Sequence, residues 1–206
     1  MTDVLYETHV TVRCSRPGET ERLRRWTETA GLKLTHIQLA RGRTRSQVMV
    51  TRPGAASYEQ EAQATRELWA GLQTAGFEPL RVKIESTPAA PEVPQQPGPG
   101  QYFEHHVKLR LDAGTDLSQL ARLAEPHGAH VSWNARRVLA DGAHERFVTQ
   151  RCHDVDAPAA HAALQRLLAD LNGVQIIEVE EEFVLYDSDL SLDDGWIVDE
   201  DKEETS

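Results

Sequence analysis

The sequence predicts an α+β protein in which one strand-helix-strand-strand-helix-strand unit, with an antiparallel sheet, occurs twice in tandem. Three observations predict it. Tyr6-Glu-Thr-His-Val-Thr-Val-Arg13 recurs as Phe103-Glu-His-His-Val-Lys-Leu-Arg110, and both alternate as half-buried strands do. The same order of patterns follows each of these segments, the self-similarity that marks a duplicated architecture. Between the copies, Thr87 to Gly100 holds five of the ten prolines and suits neither strand nor helix interior. The expected organisation is a first repeat over 1–87, a linker over 88–100, a second repeat over 101–190 and an acidic tail over 191–206.

The elements follow in order. After each opening strand comes a helical stretch, Thr20 to Ala30 and Thr115 to Ala124; Leu117, Leu120 and Leu123 give the second its apolar stripe. Gly31 and Gly128 are the stops. Second strands are expected over Lys33 to Leu39 and His130 to Asn134, and third strands over Gln47 to Arg52 and Arg146 to Arg151, both ending in a Val-Thr pair and an Arg. Longer helices span Tyr58 to Ala75 and Pro158 to Leu171 and end at Gly76 and Gly173. Leu80 to Glu85 and Gln175 to Tyr186 are the last strands.

This order resembles the ferredoxin-like fold, and the resemblance covers nearly everything except linker and tail. It implies two tandem ferredoxin-like βαββαβ units with antiparallel sheets ordered fourth, first, third, second. Helices would cover one face of each sheet and leave the other open. The fold hosts many unrelated activities, so function has to come from particular residues.

Composition narrows the classes. No apolar run among the 206 residues approaches the roughly 18 of a membrane span. The start lacks the basic and apolar stretches of a signal peptide, so a soluble, cytoplasmic protein is expected. Cys14 and Cys152 occupy unmatched places in the two copies and read as reduced thiols. A net charge of −11 argues against nucleic acid, whose phosphates are held by Lys and Arg. Much of that charge is local: Asp187 to Glu204 carries nine acidic residues against Lys202, so −8 of the −11 sits there and the body is close to neutral. The spacing Asp187, Asp189, Ser191, Asp193 starts like a calcium loop, but Leu192 replaces the glycine and the closing Glu is missing. Trp196, just beyond the last strand, is placed to pin the tail onto the body or a partner.

Alternation places the candidate chemistry. With Val107, Leu109 and Leu111 toward the helices, Glu104, His106, Lys108 and Arg110 stand on the other face; in the first copy Glu7, His9, Thr11 and Arg13 do so. Thr51, Thr149 and Arg151 come from the third strands, with Arg81, Lys83 and Glu85 or Glu178, Glu180 and Glu182 on the far flank. Polar open faces with cross-strand Lys-Glu pairs need no ligand, each pair contributing only ~0.2–1 kcal/mol. A histidine recurring beside a glutamate in both copies points beyond solvation. If the faces turn toward each other they enclose a cleft suited to a divalent metal and phosphate. Glu104-x-His106-x-Lys108 resembles the Glu-x-Glu-x-Lys strand of the triphosphate-tunnel enzymes, with His in place of the middle carboxylate. His9-Val10-Thr11 resembles the His-x-Thr motif of the 2H phosphoesterases, although the second copy has His106-Val107-Lys108.

The reading that joins these residues is an anion-binding protein, and further a metal-assisted hydrolase of phosphoesters or phosphoanhydrides. His9 and His106 would be the catalytic groups. Lys83, Lys108, Arg110, Thr51, Thr149 and Arg151 would bind the ligand, while Glu7, Glu104, Glu180 and Glu182 would hold Mg or Mn. The alternative is a noncatalytic module that binds a small ligand or a protein through an open sheet, with a homodimer formed by pairing open faces.

Overall fold

The computed structural model describes residues 6–135, 139 and 142–197. The acidic stretch beyond Ile197 lies outside them. The elements are β1 (Tyr6–Arg13), α1 (Glu19–Thr29), β2 (Lys33–Leu39), β3 (Ser46–Pro53), α2 (Tyr58–Thr74) and β4 (Glu78–Ser86). Then come β5 (Tyr102–Leu111), α3 (Leu117–Ala124), β6 (Ala129–Asn134), β7 (His144–Cys152), α4 (Ala157–Asp170) and β8 (Gln175–Asp187). Short 3-10 turns occupy Glu125–His127 and Leu190–Asp193. None of these helices is long and apolar enough to cross a membrane.

Three of the four helices, α2, α3 and α4, begin where a side chain satisfies their first amides. Ser57 accepts from Gln60 N, Asp116 from Ser118 N and Gln119 N, and Asp156 from Ala159 N. Each buries one face. Leu23 of α1 and Leu68 and Leu72 of α2 pack on Val10, Val12, Val48, Val50, Val82 and Ile84. Leu120 and Ala124 of α3 and Leu164 and Leu167 of α4 pack on Val107, Leu109, Val131 and Val148. A third cluster joins Tyr6, Phe103 and Phe183 to Ala90 of the proline-rich segment.

The strands form one closed antiparallel barrel in the order β1-β3-β2-β6-β7-β5-β8-β4. This corrects the expectation of two tandem ferredoxin-like units with open sheets. Two seams close the ring. Ile37, Gln38 and Leu39 of β2 pair with Asn134, Trp133 and Ser132 of β6. Lys83 to Ser86 of β4 pair with Phe183 to Asp187 of β8 across a register shift. The physical reason is edge satisfaction: four open-sheet edges would each leave a row of unpaired amides and carbonyls, and joining them in pairs satisfies both sets. All the helices lie outside, on the apolar faces, so the polar faces become the barrel lumen. No open faces remain for the face-to-face dimer that the sequence suggested.

Candidate functional site

Period-two alternation now has a different consequence. Side chains at Glu7, His9 and Thr11 of β1 and at Glu104 and His106 of β5 point into an enclosed space rather than toward solvent. The lumen contains a cavity of about 210 Å3, far above the ~10–15 Å3 that a single water requires. Of the residues proposed from sequence, Glu7, His9, Thr51, Lys83, Glu104, His106, Thr149, Arg151, Glu180 and Glu182 line it. Lys108 and Arg110 do not. Lys108 lies 3.4 Å from Glu178 and over the Phe147 ring, and Arg110 sits further along β5, opposite Glu145 and Gln175.

The two histidines are held alike. His9 Nδ1 is 2.8 Å from Thr51 Oγ1 and its Nε2 is 2.8 Å from Glu85 Oε2. His106 Nδ1 is 2.9 Å from Thr149 Oγ1, and its Nε2 lies 3.2 Å from Glu104 and 3.3 Å from Glu182. A ring engaged at both nitrogens by a hydroxyl and a carboxylate suits the imidazolium, which donates from both. Burial alone would push the His106 pKa down, but Glu104 and Glu182 outweigh it and raise it to about 10. His9 is raised for the same reason, with Glu85 outweighing burial.

Lys83, Arg151 and Arg81 are each shared by two carboxylates. Lys83 Nζ touches Glu85 Oε1 and is 2.5 Å from Glu104 Oε1. Arg151 bonds Glu104 and, at 2.7 Å, Asp193. Arg81 bonds Asp187 and, also at 2.7 Å, Asp193. Burial resists ionisation of Glu85 and Glu104, yet the adjacent cations hold both carboxyls well below the usual range, Glu85 at about 2. Glu182 differs: burial and the nearby Glu85 raise its pKa.

One end of the lumen is stoppered by the chain that follows β8. Asp193 enters from the Leu190–Asp193 turn and accepts hydrogen bonds from Gln47, Arg81 and Arg151. Trp196 is buried beside it and donates from Nε1 to Val131 O at 3.2 Å. Sequence reading placed Trp196 against the body but left Asp193 in a solvated tail, because a run of acidic residues hides one that is destined for two arginines. Period-two spacing placed Arg81 and Glu85 beside Lys83 on the polar face but gave them no role, and Gln47 was absent from the proposed site.

The lumen has two unlike walls. The contiguous strands β5-β8-β4-β1 carry the lining glutamates and the histidines, whereas β3-β2-β6-β7 contribute the apolar Ile37, Leu39, Met49 and Phe147 among the polar Thr35, Gln47, Thr51, Ser132 and Thr149 and the cations Lys33 and Arg151. Among the described residues one group could hold a metal: ligand atoms of Glu85, Glu104 and His106 lie within 4.8 Å of one another. It shares only Glu104 with the set proposed from sequence. The donors suit a divalent ion, but the Lys83 ammonium is seated against both carboxylates, so the ion would have to displace it.

The fold and lumen define a class, a closed barrel with a polar interior and an apolar, helix-covered exterior. No protein-family model matches the chain, and no curated protein matches it. Among solved structures, the regulatory subunit of aspartate kinase from Thermus thermophilus aligns with a TM-score of 0.35 and 15% identity, covering 82% of this chain and 95% of that one. The acetolactate synthase small subunit from Thermotoga maritima gives 0.31 and 12%, over 88% and 98%. Chlorite dismutase from Candidatus Nitrospira defluvii gives 0.31 and 10%, over 89% and 92%. Likenesses at this level assign neither a family nor a function.

Proposed function

We propose that the protein is a noncatalytic small-ligand-binding barrel that takes its ligand into the lumen. The observation that carries this reading is the lumen cavity, lined from both halves, in which a wall of carboxylates and histidines faces one that carries the apolar Ile37, Leu39, Met49 and Phe147. Such a cavity resembles ligand sites generally, which set a few placed polar groups against apolar surface. The buried ion network supports it too. Ion pairs this deep contribute little net stability compared with a packed apolar interior, so a purely structural barrel would gain from replacing them.

Hydrolysis fits the same geometry less well. A general base must be unprotonated at the working pH, and the His106 pKa is raised to about 10. Phosphate needs uncommitted cations, yet Lys83, Arg81 and Arg151 are each engaged by two carboxylates. The test is a thermal-shift screen of the wild type and Met49→Trp, which adds bulk to the wall opposite the carboxylates. Primary amines, amino acids, carboxylates, inorganic phosphate and tripolyphosphate, with and without Mg or Mn, form the panel. A shift with one compound that disappears in a folded Met49→Trp supports the reading. Turnover of tripolyphosphate that vanishes in Glu104→Gln overturns it in favour of a hydrolase, and no shift with any member also overturns it.

A further inference from the structure

Resting on that reading, we infer that the lumen recognises the positive end of its ligand, an organic ammonium group attached to an apolar chain, rather than an anion. The argument starts from which charged groups on the wall still have capacity. Lys83, Arg81 and Arg151 are each held by two carboxylates, so none of them offers a site to an incoming anion without breaking an ion pair. Several carboxylates are less committed. Glu7 lies 4.0 Å from His9, at the limit of an ion pair, and Glu182 has its one contact at 3.3 Å to His106. Glu180 lines the cavity and is exposed. Among the described lining residues, Lys33, exposed at the start of β2, is the cation outside this network.

The carboxylates on this wall also crowd one another. Glu85 is buried, with the Lys83 ammonium on Oε1 and His9 on Oε2. The crowding of Glu182 by Glu85 would fall when a positive charge lies between them.

The barrel itself indicates an ammonium rather than a metal ion. Among the described residues, the cluster with metal-ligand spacing already has the Lys83 Nζ against two of its carboxylates. On the opposite wall Ile37, Leu39, Met49 and Phe147 give a hydrocarbon chain apolar surface that a bare metal ion would not use.

Isothermal titration calorimetry of the full chain with hexylamine, hexanoate, tripolyphosphate and Mn alone decides this. Hexylamine binding is expected, at least tenfold weaker in Glu182→Gln and absent in Met49→Trp, with no heat from hexanoate. Circular dichroism of both variants establishes that they fold. An exposed cation of the outer helix α3, Arg122→Gln, should leave the affinity within twofold. Binding of hexanoate or tripolyphosphate in place of hexylamine overturns the inference but leaves a ligand-binding barrel standing. Binding of Mn but not hexylamine overturns it in favour of a metal site, and a lumen that binds none of the four removes both the inference and the reading beneath it.

Discussion

At the scale of single residues, the lumen depends on charges that are largely withdrawn from water, and their protonation can be forecast. His106 has a folded pKa of about 10 against an ordinary 6.5, so it is the protonated form that the fold favours. The stabilisation is fully present below about pH 6.5 and is lost as the pH rises through 10. NMR titration of the imidazole should show it charged at pH 8, and the stability of the wild type should fall between pH 7 and 10 more than that of His106→Gln. A midpoint near 6.5 would contradict the geometry. Asp193 runs in the opposite direction. Burial resists its ionisation, but Arg151 and Arg81 depress the carboxyl to about 2, so its contribution exists above an ordinary 3.8 and disappears as the pH falls through 2. Asp193→Ala leaves two arginines facing each other without their shared acceptor and should cost about 3–5 kcal/mol in denaturant unfolding.

At the scale of elements, the stopper and the outer helices carry separate predictions. Gly42 has φ +104, and a Cβ there would lie 2.8 Å from Trp196 N and 2.9 Å from Trp196 Cβ. Backbone cannot yield as a flexible side chain does, so Gly42→Ala should displace the 190–197 segment while leaving the barrel intact. The Trp196 indole Nε1–H resonance would shift toward that of a solvated indole; an unchanged resonance would show that the segment is not held there. Leu164→Ala, by contrast, opens a hole between α4 and the outer face of β5 and β7, and should cost about 2–5 kcal/mol with the indole unmoved.

The element scale also shows what could be read from the chain. Strand alternation and the repeat gave the order of elements, and the inward parity of His9 and His106 followed from Val10, Val12, Val107 and Leu109 facing the helices. Closure did not follow, because it depends on which edges meet: β2 with β6 and β4 with β8. No residue type along β2 or β8 names its partner across a gap in sequence. One clue was present in the length of β8, Gln175–Asp187, whose last residues extend past Tyr102 of β5 and are the ones that meet β4. Asp193 was invisible for another reason: its partners, Arg81 and Arg151, lie 112 and 42 residues away.

At the scale of the whole molecule, the arrangement inverts the usual economy of a small barrel. Small barrels commonly fill their interior with side chains that pack. Here the packing lies outside, between helices and sheet, and the interior holds charge and space. That division means that substitutions on the outer helices α2 and α4 should alter unfolding without altering binding, while Glu182→Gln should weaken binding as well as the support it gives His106. The central claim is that both halves contribute to one enclosed site. The most direct measurement is a crystal structure of the protein soaked with hexylamine. The account predicts the amine inside the barrel, its nitrogen within hydrogen-bond reach of Glu182 or Glu85 and its chain against Met49 and Phe147. Hexylamine found instead in the outer groove between Tyr58, Trp69 and Tyr186, with the lumen holding only water, would contradict it.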